Sequence, residues 1–142
     1  MKTRNAEGEL QVYDSLRRRW VAYTPEEHVR QQFVEWLIRE LEYPEGRLGN
    51  EVSLTLNGMN RRCDTVIYGT AGEPIGIIEY KSEKVVINRK VFEQILRYAI
   101  VLKVRWIIVS NGRVNYCAEI IPGQPPTLRF HPKIPNYPSL IS

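Results

Sequence analysis

Four consecutive apolar residues, Trp106-Ile107-Ile108-Val109, constrain the fold more than any other feature of the chain. A strand points alternate side chains to opposite faces, so a run that is apolar at every position predicts a strand covered on both sides. Residues 104–110 are therefore expected to form an interior strand with a layer above and a layer below. The segment before it has a different period. Val91, Ile95, Tyr98, Ala99 and Leu102 recur at helical spacing, which predicts a helix over 88–102. A helix feeding directly into such a strand is the usual right-handed crossover between parallel strands, so the sheet should be mixed.

Upstream the signals are those of a meander. Residues 51–56 read EVSLTL, rich in strand formers, and Asn57-Gly58 is a strong hairpin turn. A second strand is expected over 61–68, a loop at Gly69-Thr70-Ala71-Gly72-Glu73-Pro74, and a third strand over 75–81. Asn111-Gly112 offers another tight turn into a fifth strand over 114–121. The first helix is announced by Thr24 as N-cap, Pro25 at the first helical position and Glu27 as the partner of a capping box. Val29, Phe33, Trp36, Leu37 and Leu41 give it an apolar core stripe from residue 25 to about 42, and Pro44 and Gly46 stop it. The expected architecture is an α/β fold of order α-β-β-β-α-β-β, a mixed β-sheet flanked by helices.

A chain of 142 residues is expected to form one domain with a core of its own. Residues 1–23 read as a polar N-terminal extension whose run Arg17-Arg18-Arg19 should be a solvated face. Residues 122–142 hold six prolines and read as an extended tail with little regular structure. No apolar run approaches the ~20 residues of a membrane span, and MKTRNAEGEL lacks the apolar segment of a secretory signal. A reducing cytoplasm with both thiols free is expected, because Cys63 and Cys117 are too few for a disulfide scaffold or a cysteine zinc site. Cys63 should face the core as a small hydrophobe. His28 and His131 are too far apart for a local zinc motif and are expected at the surface. The net charge of +4 mildly favours a polyanionic partner and says nothing about chemistry.

Chemistry enters through strand pairing. If the 69–74 loop is symmetric, Asp64 on the second strand lies directly opposite Glu79 on the third, with Cβ atoms about 4.5–5.5 Å apart. Lys81 lies two residues beyond Glu79 and shares its face, and the Asn57-Gly58 turn should bring Glu51 to that face as well. Two carboxylates that close repel unless a cation neutralises them. Mg²⁺ is typically held by one or two carboxylates with waters and substrate phosphate oxygens, and a neighbouring lysine can stabilise developing negative charge. Such a set suits metal-assisted hydrolysis of a phosphodiester. Arg61 and Arg62 flank the set, with Arg62 on its face; both could hold phosphates or simply pair with Glu51 and Glu79.

At these residues the chain resembles a known group. Asp64 followed after a gap by Glu79-Tyr80-Lys81 resembles the PD-(D/E)XK nuclease signature, with Cys63 where the signature has Pro, and the order of elements matches a restriction-endonuclease-like core. Gln94 and Tyr98 look like the QxxxY element of the RecB-like branch. Thr24-Pro25-Glu26-Glu27, Val29-Arg30-Gln31, Val91-Phe92-Glu93-Gln94, Arg97-Tyr98 and Asn111-Gly112 resemble the N-terminal domain family of type I restriction enzyme R subunits, over roughly residues 13–121. No GxxxxGK[ST] motif is present, so the ATP-driven motor of a whole R subunit is not expected in this chain.

The resemblance implies a DNA endonuclease that requires Mg²⁺ or Mn²⁺. It implies Asp64, Glu79 and the Tyr80 carbonyl as metal ligands, Lys81 as the catalytic lysine, and Gln94 and Tyr98 as groups that orient the lysine, water or phosphate. Glu27 would complete the metal shell through water, and Glu51 would stand further out. Arg17, Arg18, Arg19, Arg61, Arg62, Lys84 and Arg89 would contact the nucleic acid. The expected partners are DNA and either a larger restriction assembly or a second copy of the chain, with no membrane. Two other readings remain open at this point: a catalytically silent nucleic-acid-binding or partner module, and a junction-resolving nuclease.

Overall fold

The computed structural model describes residues Met1–Ser142. Its main sheet has six strands in the spatial order β4 (Leu48–Leu56), β5 (Met59–Tyr68), β6 (Pro74–Tyr80), β7 (Trp106–Ser110), β8 (Asn115–Ile121) and β9 (Thr127–His131). β6 and β7 run parallel, joined through helix α2 (Arg89–Val101), and every other neighbouring pair is antiparallel. Helix α1 (Pro25–Glu40) covers the opposite face. This is the expected mixed α/β sheet, a restriction-endonuclease-like core.

The apolar run behaves as its composition requires. Trp106 and Ile108 pack on the α1 side with Phe33, Leu37, Ile67 and Ile78, while Ile107 and Val109 pack on the α2 side with Phe92, Ile95, Ala99 and Ile77. Each isoleucine here is removed from water, which stabilises by about 1.5–3 kcal/mol per side chain relative to exposure. α1 starts where the sequence says it should, with Thr24 Oγ1 accepting from the Glu27 N–H at 3.1 Å. Its buried stripe includes Val34 in place of the expected Trp36, which stays exposed and packs against Phe33 from outside. α2 is capped by Asn88, whose side chain accepts from Val91 N–H.

Both ends of the chain are more ordered than the sequence suggests. Residues 1–23 hold a three-stranded antiparallel meander, β1 (Thr3–Ala6), β2 (Glu9–Asp14) and β3 (Arg19–Ala22), turned at Glu7-Gly8. The Pro-rich tail is not an extended strand-free segment. Its proline-free stretch becomes β9 at the sheet edge, where flanking prolines cost no ladder hydrogen bonds. Its last residues form α3 (Tyr137–Ile141), with Asn136 as N-cap and Pro138 in the first turn. Tyr137 and Leu140 are buried in the α1-side core, and Tyr137 Oη donates to the Tyr68 carbonyl at 2.8 Å.

Candidate active site

Asp64 and Glu79 come together at the end of β6. The β5–β6 ladder pairs Thr65 with Ile78 and Val66 with Ile77, and one step further in that register sets Asp64 against Glu79. The 69–74 loop is not symmetric, but the irregularity falls between Ile67 and Tyr68 and the register recovers before the acidic pair. Asp64 Oδ2 accepts the Tyr80 backbone N–H at 2.9 Å, and Arg30 Nη1 donates to the Asp64 carbonyl at 2.9 Å. One carboxylate is thus fixed through both its side chain and its backbone.

Glu79 faces α2, where Tyr98 Oη donates to its Oε1 at 2.7 Å. Burial and the adjacent Asp64 carboxyl push the Glu79 carboxyl up to about 7, against the opposing pull of the Tyr98 hydrogen bond and the Arg61 charge. Arg61 lies over the Tyr98 ring, its guanidinium 4.2 Å from the centroid. Lys81 continues the parallel ladder by donating its N–H to the Ser110 carbonyl at 2.9 Å, and its ammonium takes part in none of the chain's ion pairs. Gln94 is exposed on α2, one turn before Tyr98. Cys63 is buried as expected, and burial raises its thiol to about 12, which makes it a packing residue.

Glu51 does not join the Asp64–Glu79 face. It adopts φ +55°, a left-handed conformation, and the ladder skips its pairing with Asp64. Both strands change phase at this point: Asn50 and Thr65 are hydrogen-bonded on the α1 side, while Val52 and Cys63 pack on the α2 side. The kink turns Glu51 toward Arg30 Nη1 and Arg62 Nε, each at 2.8 Å. It also exchanges the two arginines relative to the expectation from strict alternation. Arg62 is engaged with Glu51, and Arg61 stands beside Glu79 and Tyr98.

Glu27 forms only half of a capping box. Its backbone N–H reaches Thr24, but its carboxylate turns inward to Arg17 Nη2 at 2.7 Å, Arg30 Nη2 at 2.7 Å and Nε at 3.0 Å, and Gln31 Nε2 at 2.9 Å. Burial alone would raise this carboxyl; the donated hydrogen bonds outweigh it and hold Glu27 at about 2. With its oxygens filled by protein donors, Glu27 is a structural anion rather than a spare ligand. Arg17 is not part of a solvated run either: it is half-buried against Asp14 and Glu27, and only Arg18 and Arg19 are exposed. Asn50 Nδ2 donates to Asp14 Oδ2 at 3.0 Å, Thr65 Oγ1 donates to Asn50 Oδ1 at 2.7 Å, and Thr65 shares a hydrogen bond with Tyr80 Oη at 2.9 Å. This polar chain ties the N-terminal meander to the strand ends that carry Asp64 and Glu79. Arg30 and the Asp14–Asn50–Thr65 relay carry no signal as isolated residues.

The donor set that remains for a cation is small. No cluster of three or more His, Cys, Asp or Glu side chains converges anywhere in the chain. Two adjacent half-buried carboxylates, one of them disfavoured as an anion by desolvation and by its neighbour, fit Mg²⁺, which keeps several water and substrate ligands, better than a cation that needs an all-protein cage. The fold and site thus define an α/β core with an acidic pair at the carboxyl end of a central strand and a lysine just beyond it. Residues 25–135 match the family described as the type I restriction enzyme R protein N terminus, and the chain belongs to that family. The match runs from the first residue of α1 to the approach to α3 and includes Asp64, Glu79, Lys81, Gln94 and Tyr98. The family relates the chain to restriction. No curated protein matches the chain. No helix is long and apolar enough to cross a membrane.

Proposed function

We propose that this domain is a PD-(D/E)XK endonuclease that hydrolyses DNA phosphodiesters with Mg²⁺ or Mn²⁺ and works within a restriction assembly. The observation that carries the reading is the Asp64–Glu79 pair: two carboxylates opposed across the β5–β6 ladder, where burial and the Asp64 charge raise the Glu79 carboxyl, with Lys81 two residues further along the chain. A carboxyl raised by burial and by a neighbouring carboxylate is the electrostatic pattern of a site that a cation completes.

Asp64, Glu79 and the Tyr80 carbonyl would hold the metal. When bound, it would supply positive charge to the attacked phosphate and lower the pKa of a water. The chain's own residues have separate tasks. Tyr98 fixes the orientation of Glu79 through its 2.7 Å hydrogen bond, and Arg30 fixes the backbone of Asp64. Lys81, without an acidic partner, is free to meet negative charge on the phosphate or to help take a proton from water. Gln94, exposed on α2 one turn before Tyr98, would help orient the lysine, water or phosphate. Arg61, Lys84 and Arg89 are exposed and would hold phosphates. The test is cleavage of plasmid DNA with Mg²⁺ or Mn²⁺ beside Asp64→Asn. Metal-dependent cleavage that disappears in the variant is the expected result. DNA binding with no cleavage by the wild type would favour the silent module.

A further inference from the structure

We propose that the cavity beside the first turn of α2 is a stacking subsite for the unpaired bases of a single-stranded DNA segment. The proposal rests on the nuclease reading for its substrate class, and its test does not depend on cleavage. The cavity has a volume of about 570 Å³, within the range of ligand-binding pockets. Phe92, Tyr116, Phe130 and Ile87 supply its apolar walls, and Arg89 and Asn88 stand at its rim. No carboxylate lines it.

Its position follows from strand register. Glu79 on β6 is level with Val109 on β7, and Val109 is level with Tyr116 on β8. Residues level across a sheet share a face, and Val109 packs on the α2 side, so Tyr116 and Glu79 share that face. Two strand spacings separate them, about 10 Å. Phe130 is paired with Ala118, another α2-side residue, and so joins the same surface. A strand with its scissile phosphate at Asp64–Glu79 would therefore carry its next bases over the cavity.

The chemistry of the walls selects the ligand. Tyr116 and Phe130 are 42% and 41% exposed, and both line this one cavity, which leaves their rings open to a ligand. Phe130 is held upright by an edge contact with Phe92 at 5.0 Å, and the Arg89 guanidinium lies 5.7 Å from its centroid. Arg89 is tied only to exposed Glu93, at 3.5 Å and one helical turn away, a pair that a phosphate can displace. Exposed Lys90 and Lys133 are the sequence neighbours of the lining residues Arg89 and Pro132 and add positive charge. Aromatic faces beside cationic side chains are the pattern that binds single strands, because every unpaired base offers a π-face, whereas a duplex hides its bases in the stack.

The experiment is a fluorescence-anisotropy titration of the full chain with labelled oligothymidine in EDTA, at several salt concentrations. Tyr116→Ala and Phe130→Ala should each weaken binding by about 5- to 150-fold without changing the salt slope, since stacking displaces no counterions. Arg89→Ala should instead flatten the log-log salt slope by about 0.7, the loss of one single-strand phosphate contact. Phe130→Leu keeps the apolar contact with Phe92 and loses the stacking plane, so weakened binding by this variant with an unchanged melting curve separates the subsite from a folding defect. Oligothymidine binding indifferent to both aromatic substitutions overturns the proposal, as does a wild type that binds duplex more tightly than single strand or binds no oligonucleotide at all. Cleavage by a wild type whose binding ignores Tyr116 and Phe130 would remove the subsite and leave the nuclease reading standing. Tyr116-dependent binding without cleavage would do the reverse.

Discussion

Replacing Glu27 by Gln should cost the fold about 3–5 kcal/mol at neutral pH, the usual consequence of removing one partner from a buried ion pair. The structure supplies an independent route to the magnitude. Glu27 is 5% exposed and accepts four hydrogen bonds, three of them from Arg17 and Arg30. These hold its carboxyl at about 2 against an ordinary 4.5. At about 1.4 kcal/mol per pH unit, that gap corresponds to roughly 3 kcal/mol of stability. The sign is fixed by the direction: a depressed carboxyl contributes fully above its unfolded value and loses its contribution as pH falls through the folded value. The wild type should therefore give up about 2 kcal/mol of this contribution between neutrality and pH 3. Glu27→Gln should lack that part of the acid dependence. Urea denaturation of both proteins from pH 7 to pH 3 reads the difference directly. A variant within about 0.5 kcal/mol of the wild type at pH 7, or one with an unchanged acid slope, would refute the view that the Arg17–Glu27–Arg30 cluster holds the meander and α1 to the site.

Two further expectations can be checked by simpler means. In carboxyl NMR titrations of the metal-free protein, Asp64→Asn should bring Glu79 down from about 7 toward its ordinary value, and Tyr98→Phe should move it up, because Asp64 raises it and the Tyr98 hydrogen bond lowers it; identical titrations in all three proteins would mean the groups are not in contact. Leu140→Ala should cost about 2–5 kcal/mol by denaturant titration, since Leu140 is fully buried under the main sheet, whereas an unstructured tail would make the substitution neutral.

What the sequence disclosed was local. The run Trp106–Val109, the Asn57-Gly58 turn and the Thr24-Pro25 helix start are short-range patterns, each tied to one backbone geometry, and together they give the element order and the two layers. The facing of Asp64 and Glu79 was legible because a hairpin converts sequence spacing into register. The Arg30 contact with the Asp64 carbonyl was not, because it joins a helix to a strand 34 residues apart and depends on how the two pack. Glu51 escaped for a different reason: strict alternation cannot foresee a left-handed residue that turns the strand's phase. Arg17 sits in a run of three arginines that reads as solvated, and only the fold brings Asp14 and Glu27 to it. The prolines of the tail masked a five-residue strand and a terminal helix, since proline marks where an element stops and says little about the stretch between.

In the proposed reaction, Lys81 acts on the reacting phosphate of a site built on Asp64 and Glu79. That role is tested most directly by measuring single-turnover cleavage of DNA in Mg²⁺ by wild type and Lys81→Ala, with equilibrium binding of each in Ca²⁺ to suppress turnover. Loss of one preorganised charge-stabilising group typically costs on the order of 10²–10³ in rate, while loss of one screened phosphate contact weakens binding far less. That imbalance is the expected result for Lys81→Ala, and the opposite one for Lys84→Ala, whose exposed side chain would only hold the backbone. Equal losses of rate and affinity in Lys81→Ala would reduce Lys81 to an anchor, and undiminished cleavage would contradict the proposed active site.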